Sequence, residues 1–256
     1  MASRPTPRSM IVIASRAVTP AMLRVTLGGE GMRDYPPGQQ GGYVKLMLAP
    51  EPGKSKPTRR TYTIRQQRAG EMDVDFALHG KGALAGPATA WALRVTGGEA
   101  IELGGPGAAK PLPEGFDCYL VAGDMTALPA ISVNLEALPR EAKGLAVIEV
   151  QSEADRQPID APKGVEIHWL INPEPGTRPE LLADALRTAA WPQGRVYAWA
   201  ACEFSAMRRL RDYLREERGL GSGELYISSY WKSGIDEDSH KLVKRADAEA
   251  TAALAR

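Results

Sequence analysis

The sequence predicts a two-part chain: an antiparallel β-barrel, then an α/β unit on a parallel sheet, closed by a helical tail. Three observations carry this. Six short β-branched or alternating runs fill the first hundred or so residues, each bounded by Gly, Pro or polar turn residues. Beyond them, apolar strand runs alternate with helical spacings, the pattern of parallel strands joined by crossover helices. Finally, 256 residues exceed the roughly 100–150 of a usual domain. The expected units are 1–112, 113–232 and a tail over 233–256.

In chain order the barrel runs are "MIVIAS", "MLRVTLGG", "GYVKLMLAP", "RTYTIR", "MDVDFALHG" and "VTGGEAIELGGPG", with one helix start, "GPATAWALRV", between the last two. After "GPGAAKPLPEGFD" the period changes. "CYLVAGD" reads as a buried strand, and Leu128, Ile131, Leu135 and Leu138 mark one face of a helix. "GLAVIEVQS" and "GVEIHWLIN" are further strands, "RPELLADALRTA" a helix, "GRVYAWAAC" a strand, "EFSAMRRLRDYLREERG" a helix ended by glycine, and "ELYISSYW" the last strand. The polar tail from "KSGIDEDSH" onward reads as a partly exposed helix.

Composition excludes several classes. Lys plus Arg number 32 against 31 Asp plus Glu, so no global field recruits nucleic acid or an anionic membrane. No stretch approaches the roughly 18 apolar residues of a spanning helix, and "MASRPTPRSMIVIAS" lacks a long apolar run with a cleavage site. The expectation is a soluble, cytoplasmic monomer. Cys118 and Cys202 form no CxxC pattern, so neither a disulfide framework nor a metal site is expected.

The chemistry concentrates between residues 59 and 92. Alternation in a strand places Arg60, Tyr62 and Ile64 on one face and Thr61, Thr63 and Arg65 on the other, so a cation stands beside an aromatic ring. Taken alone, this is also what a barrel strand with snorkelling arginines looks like. Farther on, Pro87 suits a first helical turn, Gly86 permits close backbone approach, the free amides around Ala88 attract phosphate, and Thr89 adds a hydroxyl. Trp91 serves equally as an anchor to the barrel.

Together "GYVKL", "RTYTIR", "DVDFALHG", "GPATAWA", "GDMTALPAI", "WAACE" and "SYWKSG" resemble the siderophore-interacting protein family, flavin-dependent ferric-siderophore reductases of the ferredoxin-reductase-like superfamily, in order over most of the chain. The resemblance implies a Greek-key barrel that binds FAD: Arg60 on the phosphates, Tyr62 on the isoalloxazine ring, Thr63 near flavin N5, and Ile64 and Arg65 completing the motif. It brings Leu78, His79 and Gly80 alongside the cofactor, with Gly86, Pro87, Ala88, Thr89 and Trp91 at the helix start. Cation, amide donors and aromatic face are what a pyrophosphate and a flat amphipathic ring require.

No GxGxxG fingerprint follows the strand "CYLVAGD". Asp124, Thr126 and Ala127 match the family and are expected to face the cofactor across the cleft, with Trp231 on its other side. Met125 replaces an acidic residue of the family pattern, and Cys202 and Ser229 stand where the family has glycine. The electron donor, NAD(P)H or ferredoxin, stays open. A flavin converts a two-electron hydride into the single electrons that ferric iron accepts, and the ferrous ion is held less firmly by hard oxygen ligands. No protein metal ligand is needed. Lys45 and Lys232 match basic family positions and are expected to dock an anionic ferric siderophore. Two readings compete: a general flavin reductase or diaphorase, and a non-catalytic siderophore-binding protein on the same fold.

Overall fold

The computed structural model describes residues 6–51, 53, 55–78 and 86–254. Six strands, β1 (Arg8–Thr19), β2 (Met22–Gly28), β3 (Tyr43–Leu48), β4 (Thr58–Arg68), β5 (Glu71–Ala77) and β6 (Ala100–Gly107), close into a barrel in the order β1-β2-β5-β4-β3-β6. All the pairings are antiparallel. Strands β3, β4 and β5 follow one another as neighbours and β6 returns beside β3, which is the Greek-key arrangement expected. Inward residues alternate along each strand and meet in one core that includes Val25, Leu46, Ile64, Val74, Phe76 and Leu103. Helix α1 (Pro87–Arg94) plugs one side through Ala88, Trp91 and Ala92.

The acidic character of β5 is structural. Asp75 receives both the Nε and an Nη of Arg24, at 2.6 and 2.7 Å, and Asp73 is held by Arg68 and the Thr26 hydroxyl. Both carboxylates are almost fully buried, and burial without such partners costs several kcal/mol per charge, on the order of what one residue can withstand.

The second half is a five-stranded parallel sheet in the order β11-β10-β7-β8-β9, built from β7 (Cys118–Gly123), β8 (Lys143–Val150), β9 (Gly164–Ile171), β10 (Val196–Glu203) and β11 (Leu225–Trp231). Helices α2 (Leu128–Glu136), α3 (Leu181–Thr188) and α4 (Phe204–Arg211) are its crossovers. The β8–β9 crossover, residues 151–163, carries only a 3₁₀ turn at Glu153–Asp155. That turn delivers Asp155, which accepts from the Thr19 hydroxyl, the Ala21 amide and the Ser152 hydroxyl at 2.6–2.8 Å and ties the crossover to the β1–β2 turn of the barrel. Gly123, at the carboxyl end of β7, is required by close approach: a Cβ there would lie 2.6 Å from the Ala201 carbonyl oxygen.

The tail is the helix α5 (Glu237–Leu254), and it is docked. Arg211 grips Asp247 with both Nη atoms, at 2.5 and 3.0 Å, Lys244 donates to the Ser229 carbonyl and the Ser228 hydroxyl, and His240 is buried against Ser229. Burial and the nearby Lys244 hold the His240 imidazole down at about 4, so it is neutral at pH 7.

Candidate functional site

The alternation expected for β4 holds up to Ile64. Ile64 is fully buried, Tyr62 packs partly against the barrel core, and Arg60 lies on the same face nearer the strand's start. Tyr62 rests on Phe76 with ring centroids 4.3 Å apart, and Phe76 in turn meets Trp91 at 5.6 Å. This relay of rings holds the phenol in place. Arg60 is oriented by Glu51, whose Oε1 accepts from Nη2 at 3.1 Å, and by the Arg59 carbonyl at 2.9 Å. Among the described residues the rest of its fork has no further acceptor, which suits an incoming anion.

After Ile64 the register slips, with a bulge before Gln66, and such a bulge re-aims the side chain within it. Arg65 therefore turns to α2 and pairs with both oxygens of Glu136, at 2.6 and 3.0 Å. In this arrangement it clamps the barrel to the sheet unit.

At α1 the phosphate-binding expectation meets a suitable backbone. Gly86 is the N-cap, Pro87 takes the first helical position, and among the described residues no side chain caps the turn. The amides of Ala88 and Thr89 have no intrahelical acceptor, as at any helix start. Among the described residues, a Cβ on Gly86 would meet nothing within 4 Å. His79 and Gly80 lie outside the described residues. Leu78 is placed at the seam, its carbonyl accepting from Gln151 Nε2 at 2.7 Å.

Three of the expected contact residues face inward. Ile64 is a core side chain whose amide and carbonyl pair with Gly42 and Gly41 at 2.8 Å. Ala127 is completely buried beneath α2. Trp91 is 7 % exposed and lies behind Phe76, where it supports the Tyr62 platform instead of presenting a free face. Each neighbours a motif residue in sequence but faces inward.

At the carboxyl ends of the parallel strands, Ala77, Asp124, Met125, Thr126, Glu149 and Trp231 line a crevice of about 20 Å³, room for a single water. Asp124 is its hub. One oxygen accepts from the Thr126 amide and hydroxyl, the other from the Glu203 amide and Trp231 Nε1, at 2.5–2.9 Å. Burial pushes its carboxyl above the usual range, and those hydrogen bonds oppose the shift. Met125 keeps a further charge out of a crevice that already holds Asp124 and Glu149.

Glu149, a lone carboxylate in an apolar strand, was not singled out from the sequence; that interruption was the available signal. One oxygen accepts from Asn172 Nδ2 at 2.8 Å. Burial, with the charges of Asp124 and Glu203, pushes it up to about 7. Folding thus favours its protonated form: stability is undiminished below the ordinary 4.5, declines as pH rises toward 7, and carries the full penalty above it. Glu149→Gln is expected to stabilise the protein by about 2–3 kcal/mol at pH 8 and by little at pH 4, read from urea midpoints.

The two candidate docking lysines border one seam. Lys45 stands opposite Thr61 across the β3–β4 pair, and the Thr61 amide and hydroxyl both donate to Glu237, at 3.2 and 3.0 Å. Glu237 opens α5 a few residues after Lys232, whose Nζ lies 4.9 Å from the Phe204 ring centre. Cys202 is fully buried, and burial holds its thiol well above the usual range, which makes it inert packing. Ser229 is explained by α5: its hydroxyl lies 2.6 Å from His240 Nε2, a contact glycine lacks.

A Greek-key barrel with an aromatic–arginine strand, joined to a parallel sheet whose crevice opens at its carboxyl ends, is the ferredoxin-reductase-like fold. The ferredoxin-NADP+ reductase of Plasmodium falciparum shares that fold, with a TM-score of 0.65 at 12% identity, over 88% of this chain and 96% of that one. The siderophore-interacting FAD-binding domain profile matches residues 11–57 and 50–110, and the siderophore-interacting protein profile matches 116–234. The ferric vibriobactin reductase ViuB of Vibrio cholerae is 34% identical over 91% of this chain and 92% of its own. The siderophore-interacting protein SipS of Aeromonas hydrophila superposes with a TM-score of 0.83 at 30% identity, covering 95% and 98% of the two chains. This chain belongs to the siderophore-interacting protein family.

Proposed function

We propose that the protein is a ferric-siderophore reductase, with FAD carried on Arg60, Tyr62, Thr63 and the α1 start, and with NAD(P)H or ferredoxin as electron source. The observation that supports it most is an oriented guanidinium and a half-buried phenol on one face of β4, the phenol backed by two tilted rings that lead to α1, whose start no described side chain caps. These suit pyrophosphate and isoalloxazine respectively. The bound flavin supplies the exchange between two-electron and one-electron chemistry.

Around it, this chain's residues position and shield. Glu51 fixes the Arg60 fork, Phe76 and Trp91 fix the Tyr62 ring, and Arg65–Glu136 with Asp155 hold the barrel against the sheet. Asp124 pins Trp231 at the crevice rim, and Glu149 can hold a proton there near neutral pH. The working division is a flavin barrel over 1–112, a sheet unit over 113–232 and a helical tail over 233–256.

Lys45 and Lys232 flank the seam as docking cations for an anionic ferric chelate. Lys45→Ala with Lys232→Ala is expected to raise the KM for such a chelate about tenfold at low salt while leaving kcat nearly constant. Steady-state kinetics across a salt series checks this, and an unchanged KM removes both residues from docking. Comparison of the chelate with quinone and free-flavin acceptors separates this reading from a general diaphorase.

A further inference from the structure

A second cleft lies away from the flavin strand, between α4, α5 and the edge strand β11. Its volume is about 380 Å³, within the range of roughly 300–1,000 Å³ typical of small-molecule pockets. Met207, Ile227 and Ala248 form an apolar wall, and Arg211, Arg215, Lys244 and Asp247 bring charge to it.

The charges do not cancel. Asp247 is consumed by Arg211, bidentate, with Arg208 at 3.7 Å. Lys244 donates only to the neutral Ser229 carbonyl and Ser228 hydroxyl, and burial lowers its pKa. Among the described residues neither Lys244 nor Arg215 has a carboxylate within ion-pair distance. The Glu237 carboxylate, at the start of α5, acts on Lys244 through space without pairing with it, and His240 is neutral near pH 7. Two cations with no ion-pair partner among the described residues thus border one partly enclosed cleft, an arrangement an incoming anion completes.

The backbone supplies an independent observation. After α4 the helix winds as a π turn over Asp212–Glu217, a costly form that recurs at functional sites. Met207, Arg211 and Arg215 are spaced by four. In regular α-winding, each such step drifts about 40° around the axis, which would carry Arg215 away from the line of the other two. The wider π turn removes most of that drift and keeps Arg215 on the cleft.

The geometry points to a binding site for a phosphate monoester dianion, its phosphate between Arg215 and Lys244 and its organic body against Met207, Ile227 and Ala248. The two surplus positive charges match a dianion. Bound there, the ligand bridges α4 and α5 and holds the C-terminal helix down.

The test is titration of the full chain, followed by amide shifts and by melting temperature, with phenyl phosphate, with 2′,5′-ADP as the nucleotide source of the same group, and with acetate as a monoanion. The site predicts saturable binding of phenyl phosphate, shifts confined to α4, α5 and β11, and acetate weaker by at least about tenfold. Tighter binding of 2′,5′-ADP with the same shift map identifies a nucleotide as the source; equal or weaker binding identifies a simpler ester. Arg215→Met with Lys244→Met is expected to abolish saturation, and Lys244→Arg, which keeps the charge, to retain it. Absence of saturable binding by the unmodified chain, shifts mapping elsewhere, or equal affinity in the double methionine variant would each overturn the assignment.

Discussion

Arg60→Ala is expected to yield a folded protein that has lost its hold on FAD. The barrel core does not depend on this side chain: among the described residues it bonds to Glu51 and the Arg59 carbonyl near the start of β4. Charge-assisted hydrogen bonds contribute about 1.5–3 kcal/mol each, and two to a pyrophosphate amount to a loss of about 10²-fold or more in affinity. Lysine keeps the charge but not the fork, so Arg60→Lys should fall between. Flavin fluorescence titration reads the affinity and circular dichroism the fold. An alanine variant that keeps its flavin through dialysis would remove Arg60 from the phosphate site.

The largest effect on stability is expected at Asp124. Its removal leaves Trp231 Nε1, the Glu203 amide, and the Thr126 amide and hydroxyl without their common acceptor. An unsatisfied buried donor costs about 1–3 kcal/mol, and a water entering the crevice can recover part of this. Asp124→Ala should therefore cost about 3–5 kcal/mol, seen as a lowered urea midpoint with little change in slope. Asp124→Asn should be only slightly better, because its amide nitrogen sets a donor against donors. A small loss for either would mean that Trp231 and Glu203 are anchored by other contacts.

Much of this architecture was legible before the coordinates because it depends on period. β4 alternates until Ile64, β7 is apolar throughout because both of its faces are covered, and Leu128, Ile131 and Leu135 share the buried face of α2. What escaped reading depends on partners distant in sequence. The bulge that turns Arg65 toward Glu136 leaves no local mark, and the Thr61–Glu237 contact joins residues at opposite ends of the chain. Motif adjacency says little about direction: Ile64 and Ala127 sit among candidate positions but face the core. Ser229 departs from the family's glycine in sequence, and only the docked α5, with His240 against its hydroxyl, shows why a side chain fits there.

The central claim is that this fold passes electrons through a barrel-bound flavin to chelated ferric iron. Its most direct measurement is anaerobic: load the protein with FAD, reduce it chemically, add a ferric siderophore, and follow the visible spectrum with a ferrous trap present. The account predicts recovery of the oxidised flavin bands with about two ferrous ions trapped per flavin, from the electron count. Failure of the protein to take up FAD, or a reduced flavin that persists unchanged in the presence of the chelate, would contradict it.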